Sequence, residues 1–571
     1  MPGNFFVNFA KAMEGKQYIQ VVVPLKLDWT PVYSASAGVV TGQRVLVRVA
    51  RKQYVAVVCR TGVVPDIDES RIIPVDSEEC GLPSITPAEL ELWNFIADYY
   101  LCTAGEVYKA AYPSMKLKSE QVAADAATRH EHTLAAMRER RKHALEKRIL
   151  RLEASLARRE KGLEGKHAES VMERLMDERD RISEELRAAR EALARLENEA
   201  VETPPPGVPS TAPAGRAPAG KPLLLWGGDR VRRYARMARE TLDAGLDVLL
   251  LVPDIIFSDR IEAELAPDFD ELRVCNSKQS QVRRRKLSDD LRGGNGPFFV
   301  LGTRSAVFLP FRRLGLIIVD EEQDTMFKQT EPAPRYNGRD VAVKLGAIHG
   351  AQVVLGSALP SLESVLNSRS GKYDSAITPA ASAAVSVIDV RAEARKNGMV
   401  ESFSRRMADI VAGTDGPVTV VRMWEKVDEV SRLADTCLPG RDVRIMTMAE
   451  ARKSGFSPVT VILQADALVG RDDFRADERA AQIVAQLSAL TRTLVIQTAV
   501  PARWDGSRSV DDLLAERREF GFPPFTRLVS LEPAGGQPQR IFLKRDGGLA
   551  SRKAEILAGT PRGVIIDVDP V

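Results

Sequence analysis

Cysteine and histidine are scarce in this chain. Five cysteines (Cys59, Cys80, Cys102, Cys275, Cys437) are scattered through 571 residues with no short pair spacing. That spacing excludes a disulfide framework and a cysteine-based zinc site. Four of the five histidines (His130, His132, His143, His167) share one highly charged stretch, and His349 stands alone elsewhere. A histidine metal centre in the globular parts is therefore not expected. Aromatics make up only 6% of the residues, which limits base-stacking platforms. No apolar run approaches the ~18–20 residues a membrane span needs, and the first residues lack an apolar signal core. The expectation is a soluble, cytoplasmic protein without a membrane partner. Excess charge is missing too. Lys+Arg (81) nearly cancels Asp+Glu (78), for a net charge of +3, so any nucleic-acid surface must come from local clustering.

What is present is core-forming material. Hydrophobic residues make up 44% of the chain, and the length suggests about three to five domains at roughly 100–200 residues each. Residues 1–85 read as a small β-rich domain with strands Tyr18–Leu25, Gln43–Val49 and Tyr54–Cys59, and with turn material at Ser34–Gly38 and Thr41–Gly42. Residues 86–116 form a helical connector. There Thr86 suits the N-cap, Pro87 the first helical position and Glu89 the capping box, and a break near Thr103–Gly105 precedes a second short helix.

Residues 117–200 are dense in Arg, Lys, Glu, Ala and Leu. Heptad seams run through Leu145, Ile149, Leu152 and Leu156, and through Ile182, Leu186, Ala189, Leu193 and Leu196. Gly162 and Gly165 interrupt them midway, so the pattern predicts an antiparallel coiled-coil hairpin with its tip near 162–168. One long dimerising helix is the alternative. Residues 201–222 are a Pro/Ala/Gly linker. From 223 the pattern is α/β: Leu223–Trp226, Asp247–Pro253, Phe298–Thr303, Leu314–Val319 and Gln352–Gly356 predict a parallel sheet over 223–375, covered on its faces. Residues 376–510 echo it more weakly through Val418–Val421, Val459–Gln464 and Leu494–Gln497. Residues 511–571 read as a small C-terminal α+β domain ending in a strand at Gly563–Val568.

The chemistry concentrates at strand ends. Leu314–Asp320 runs into Glu321–Glu322–Gln323, a Walker-B-like arrangement in which an Asp can hold Mg²⁺ and a Glu can orient water on a γ-phosphate. A strand ending in solvated acids is the bland alternative. Phe299–Ala306 and Val354–Ser361 place Gly, Ser, Thr and Arg at two neighbouring strand ends, which makes a phosphate- or nucleic-acid-handling crevice the economical reading.

Several stretches resemble the PriA (primosomal protein N′) family of replication-restart helicases. GTRSAVFLPFRRLGLIIVDEEQDTMFKQTEPAPRYNGRDVAV (302–343) is similar to the block around that family's DEEH motif, and GSALPSLESVLN (356–367) to its GSATPSLE motif. Residues 21–49 resemble its N-terminal domain for DNA 3′ ends, and 96–114 the segment after it. DDFRADERAAQIVAQ (472–486), AERREFGFPPF (515–525) and DVDP (567–570) are similar to its second lobe and C-terminal domain. The match is nearly collinear and spares mainly 117–222.

The resemblance implies two RecA-like superfamily-2 helicase lobes, ATP and Mg²⁺ as cofactors, branched, single-stranded or duplex DNA as ligand, and primosome and replicative-helicase loading proteins as partners. It also points to Arg304, Lys328, Arg335, Tyr336 and Arg339 as DNA-coupling residues; the competing reading for the arginines is internal pairing with acids such as Asp340 or Glu331. Arg283–Lys286 and Arg232–Arg233 are further basic runs.

The departures from the family pattern are specific. Where it has Gly-x-x-x-x-Gly-Lys-Ser/Thr, residues 224–234 offer only Gly227, Gly228 and Arg230 as a degenerate phosphate loop, with Asp229 where phosphate should sit. The Gln-x-x-Gly-Arg-x-Gly-Arg motif is reduced to Gln486–Arg492, and the second lobe is reduced with it. The eight-cysteine zinc module is absent, so no zinc is expected. The family's Phe-Asp-Tyr is replaced by Pro31–Val32–Tyr33, and the coiled coil stands where a winged helix belongs. Asp320 and Glu321 are then read as vestigial. The expected function is a restart protein that binds branched DNA and recruits partners with defective ATP hydrolysis. The alternatives are an active 3′-to-5′ helicase and a coiled-coil adaptor with no DNA role.

Overall fold

A computed structural model describes residues 15–113, 220–294, 296–378, 383–470, 473–561 and 563–571, together with scattered positions between 149 and 190. The chain divides into two compact units, one of residues 1–113 and 215–571, the other of residues 114–214. In the smaller unit the described positions are helical. Arg190 meets Glu153, 37 positions before it, at 2.7 Å. The expected tip at 162–168 and the linker up to residue 219 lie outside the described residues.

The larger unit opens with an antiparallel sheet of order β2-β1-β4-β3, formed by β1 (Lys16–Val22), β2 (Val32–Ser36), β3 (Arg44–Val49) and β4 (Lys52–Thr61). Its alternating inward positions Ile19, Val21, Tyr33, Ala35, Val45, Val47, Ala56 and Val58 form one core. The expected turn at Ser34–Gly38 is corrected in part. Val32–Ser36 pairs with β1 through the register Ile19↔Tyr33, because period-2 burial of Tyr33 and Ala35 outweighs serine's turn preference. The helix Pro87–Tyr100 starts in a capping box between Thr86 and Glu89, and a second box between Thr103 and Glu106 starts Ala104–Ala111.

A seven-stranded parallel sheet follows, in the order β11-β5-β10-β9-β6-β8-β7. Its strands are β5 (Leu223–Gly227), β6 (Asp247–Leu251), β7 (Leu272–Cys275), β8 (Phe299–Gly302), β9 (Leu314–Asp320), β10 (Gln352–Ser357) and β11 (Asp374–Thr378). Central β9 is buried along its whole length, as a strand covered on both faces must be. The edge strands β7 and β11 were not foreseen, because edge strands lack that continuous apolar run.

A second parallel sheet has the order β12-β18-β17-β15-β16. It contains β12 (Ala384–Asp389), β15 (Val418–Val421), β16 (Val443–Met446), β17 (Ser457–Ile462) and β18 (Thr491–Thr498), with a short hairpin of β13 (Met399–Val400) and β14 (Phe403–Ser404) beside it. The C-terminal part is an antiparallel sheet of β20 (Gln539–Lys544), β19 (Thr526–Glu532) and β21 (Ile565–Val568), with β19 in the middle. The architecture is thus multidomain α/β with a small N-terminal β domain. Among the described residues no helix is long and apolar enough to cross a membrane, and no group of three or more His, Cys, Asp or Glu side chains could hold a metal ion.

Candidate nucleotide and nucleic-acid sites

β5, β10 and β9 are neighbours in the first parallel sheet, so their carboxyl ends open on one crevice. β5 ends at Gly227, whose φ of +106° and close approach to β11 suit glycine alone; a Cβ there would lie 1.9 Å from the Thr378 carbonyl oxygen. The chain turns through Asp229 (φ +53°) into the helix Arg230–Asp243. Asp229 does not point into the crevice as a phosphate mimic would. Its side chain is exposed and meets Arg232 at 3.5 Å.

Arg230 points into the crevice instead. Its Nη1 donates to the Gly227 carbonyl at 2.6 Å, its Nε to Asp320 at 3.2 Å and its Nη2 to Glu321 at 2.5 Å. One helical turn later, buried Tyr234 donates its hydroxyl to the same Asp320 oxygen at 2.8 Å. β10 admits that ring only because residue 356 is glycine; a Cβ there would fall 1.6 Å from the Tyr234 oxygen.

The second sheet closes the crevice from the other side. Gln486, on the helix Ala476–Ser488, donates to Glu321 at 2.5 Å, and Gln323 donates to the same oxygen at 2.7 Å. Arg452 pairs with Asp324 at 3.0 Å. Glu478 accepts the Leu362 amide and the Arg517 guanidinium, each at 3.0 Å. The two lobes are therefore cross-linked by polar groups that are almost all buried, in a region of low effective dielectric where such bonds are strong and their loss is costly.

Burial opposes the charge on Arg230, but Asp320 and Glu321 overcome it and hold the guanidinium above its ordinary range. Burial pushes Asp320 up, with Arg230 only partly compensating. Glu321 is buried as well, but Arg230, Gln323 and Gln486 together bring it down. The carboxylate oxygens that a metal–triphosphate would use thus bond a guanidinium, a phenol and two amides of the chain itself.

Of the residues expected at DNA, Arg304 is half-buried and donates to the Met326 carbonyl at 3.0 Å. The other four have partners within the chain. Lys328 is fully buried, donates to the Arg335 and Val568 carbonyls at 2.6 Å and pairs with Asp567 at 2.7 Å. Arg335 reaches Glu532 at 3.0 Å and Glu331 at 3.6 Å. Arg339 reaches Asp340 at 2.8 Å and Glu322 at 3.1 Å. Tyr336 is buried edge-on to Phe308. Both arginines thus have acidic partners inside the chain. For Lys328 and Arg335 the physical reason is that β21 returns from the far end of the chain and brings Asp567 and Val568 against them. Tyr33 likewise is a core residue whose hydroxyl donates to the Arg48 carbonyl. Arg283, Arg285 and Lys286 remain exposed on the helix Gln281–Gly293.

Sequence reasoning missed Tyr234, Arg452 and Glu478, and saw Gln486 only as the start of an eroded motif. Their signal lay in unusual places for large polar residues, such as a tyrosine on the inward face of an otherwise basic helix.

Residues 20–113 match the family of the PriA 3′ DNA-binding domain. Over 199 residues the chain is 38% identical to the replication restart protein PriA of Chlamydia pneumoniae, covering 33% of this chain and 26% of that protein. It is also 27% identical to that of Haemophilus influenzae over 401 residues, covering 64% and 53%. The chain is similar to the PriA replication restart proteins. It spans about half the length, or less, of these curated PriA relatives. Among solved structures, RecG bound to a three-way DNA junction aligns over 53% of this chain at 14% identity and a TM-score of 0.30.

Proposed function

We propose that this chain is a DNA-bound scaffold of the replication-restart type, whose lobes are held together by its own side chains rather than by nucleotide. One observation carries the reading. Arg230 lies on both acids that a helicase of this kind would offer to Mg²⁺, and Gln486 of the second lobe lies on one of them. ATP and Mg²⁺ do not fit this arrangement. A divalent ion would have to displace a buried, doubly paired guanidinium, and no Lys-Ser/Thr pair stands in the loop to bind phosphate in return. The 3′ DNA-binding-domain similarity at residues 20–113 supports the DNA half of the reading. Primosome and helicase-loading proteins are the partners proposed for it, and the helical pair around Glu153 and Arg190 is a surface they could use.

The test is ATP hydrolysis with and without forked DNA, alongside fork binding across a salt series. Background hydrolysis, no response to Glu321→Gln and salt-sensitive fork binding are expected. Fork-stimulated turnover abolished by Glu321→Gln would overturn the scaffold in favour of a motor. Salt-insensitive or absent binding would favour the coiled-coil adaptor.

A further inference from the structure

Away from the strand-end crevice, four phenylalanines from three parts of the chain form a continuous ladder. Phe474 and Phe522 stack at 4.8 Å with 21° between their planes. Phe522 and Phe520 continue the stack at 6.0 Å and 28°. Phe542 of β20 leans on Phe522 at 5.4 Å. In a chain with so few aromatics the concentration is notable, and so is its exposure: Phe520 is 62% exposed and Phe542 38%.

The ladder is bordered by cations. The Arg475 guanidinium lies 4.4 Å from the centre of the Phe474 ring. Arg540, Phe542 and Lys544 alternate along β20 and are all exposed, so they share its outward face. The Arg517 guanidinium lies 4.5 Å from the centre of the same Phe474 ring. Asp473 is paired with Arg479 at 2.8 Å, and Glu519 is exposed beside Phe520.

We propose that this ladder is a stacking platform for single-stranded DNA. Near-parallel rings with an open end offer a base the same contact they offer one another, and flanking Arg and Lys side chains neutralise the phosphates that follow. A protein partner would call for apolar neighbours around the rings. The Arg475 and Arg517 guanidinium groups lie on Phe474, and Arg540 and Lys544 flank Phe542 on β20, which complements a polyanion. The proposal rests on the DNA-scaffold reading and adds a second contact to the one at residues 20–113.

The test uses the full chain and two labelled oligonucleotides of equal length, one of thymidine and one abasic. Phe520→Ala with Phe542→Ala should weaken thymidine binding roughly five- to hundredfold per lost stack and leave abasic binding unchanged. Arg540→Glu with Lys544→Glu should weaken both. Both phenylalanines are exposed, so the thermal midpoint should hold. Iodouracil cross-links should map to Phe520 or Phe542. Equal loss on both oligonucleotides, no loss on thymidine, or cross-links confined to residues 20–113 would overturn the platform. Fork binding through the N-terminal domain would survive that outcome, so the scaffold reading fails or stands separately.

Discussion

Replacing Arg230 by Ala tests the central contact. The Arg230 side chain is 12% exposed, and its partners Asp320 and Glu321 are 5% and 8% exposed. The substitution leaves two buried carboxylates side by side with no cation between them. Removing one partner of a buried ion pair costs about 3–5 kcal/mol, and that is the loss of stability expected at neutral pH in urea denaturation. The sign of its pH dependence follows from the residue left behind. Burial already raises Asp320 above its ordinary range while Arg230 pulls it down. Without Arg230 the folded value rises further above the unfolded one, so the destabilisation is full above the folded value and fades as the acid takes up its proton. The gap between wild type and variant should therefore narrow in mild acid. Adding Asp320→Asn and Glu321→Gln to Arg230→Ala should recover part of the loss. A loss below about 1 kcal/mol, the scale of an exposed pair, or a gap that widens in acid, would refute the buried bridge.

Other sites give independent tests. Gly356→Ala would set a methyl group 1.6 Å from the Tyr234 oxygen and should cost about 1–3 kcal/mol through overpacking, read by thermal denaturation; a neutral result would mean Tyr234 lies elsewhere. Lys328→Met strips the buried cation from Asp567 and the Val568 carbonyl and should destabilise the chain by about 3–5 kcal/mol, with β21 becoming the first site of limited proteolysis. His349 is held down to about 4 by burial, against the pull of Glu91. The unfolded chain therefore binds its proton first, and stability should fall by up to about 3 kcal/mol as pH drops from near 6.5 toward 4. His349→Gln should flatten that slope in denaturation curves across the range.

Sequence alone determined the elements whose signals are local. The apolar run Leu314–Val319 reads as a buried strand, and Thr86, Pro87 and Glu89 read as the start of a helix, because capping and periodicity act within a few residues. The absence of a Lys-Ser/Thr pair at Gly227–Arg230 was equally visible, since it is a matter of residue identity. Tertiary structure decided what stands in its place. Nothing local says that Arg230 turns back onto Asp320 and Glu321, that Gln486 crosses from the second lobe to meet them, or that β21 returns to bury Lys328 some 240 positions away. Those contacts join residues far apart in the chain, and whether a charged side chain faces water, a phosphate or another side chain depends on which distant segment folds over it.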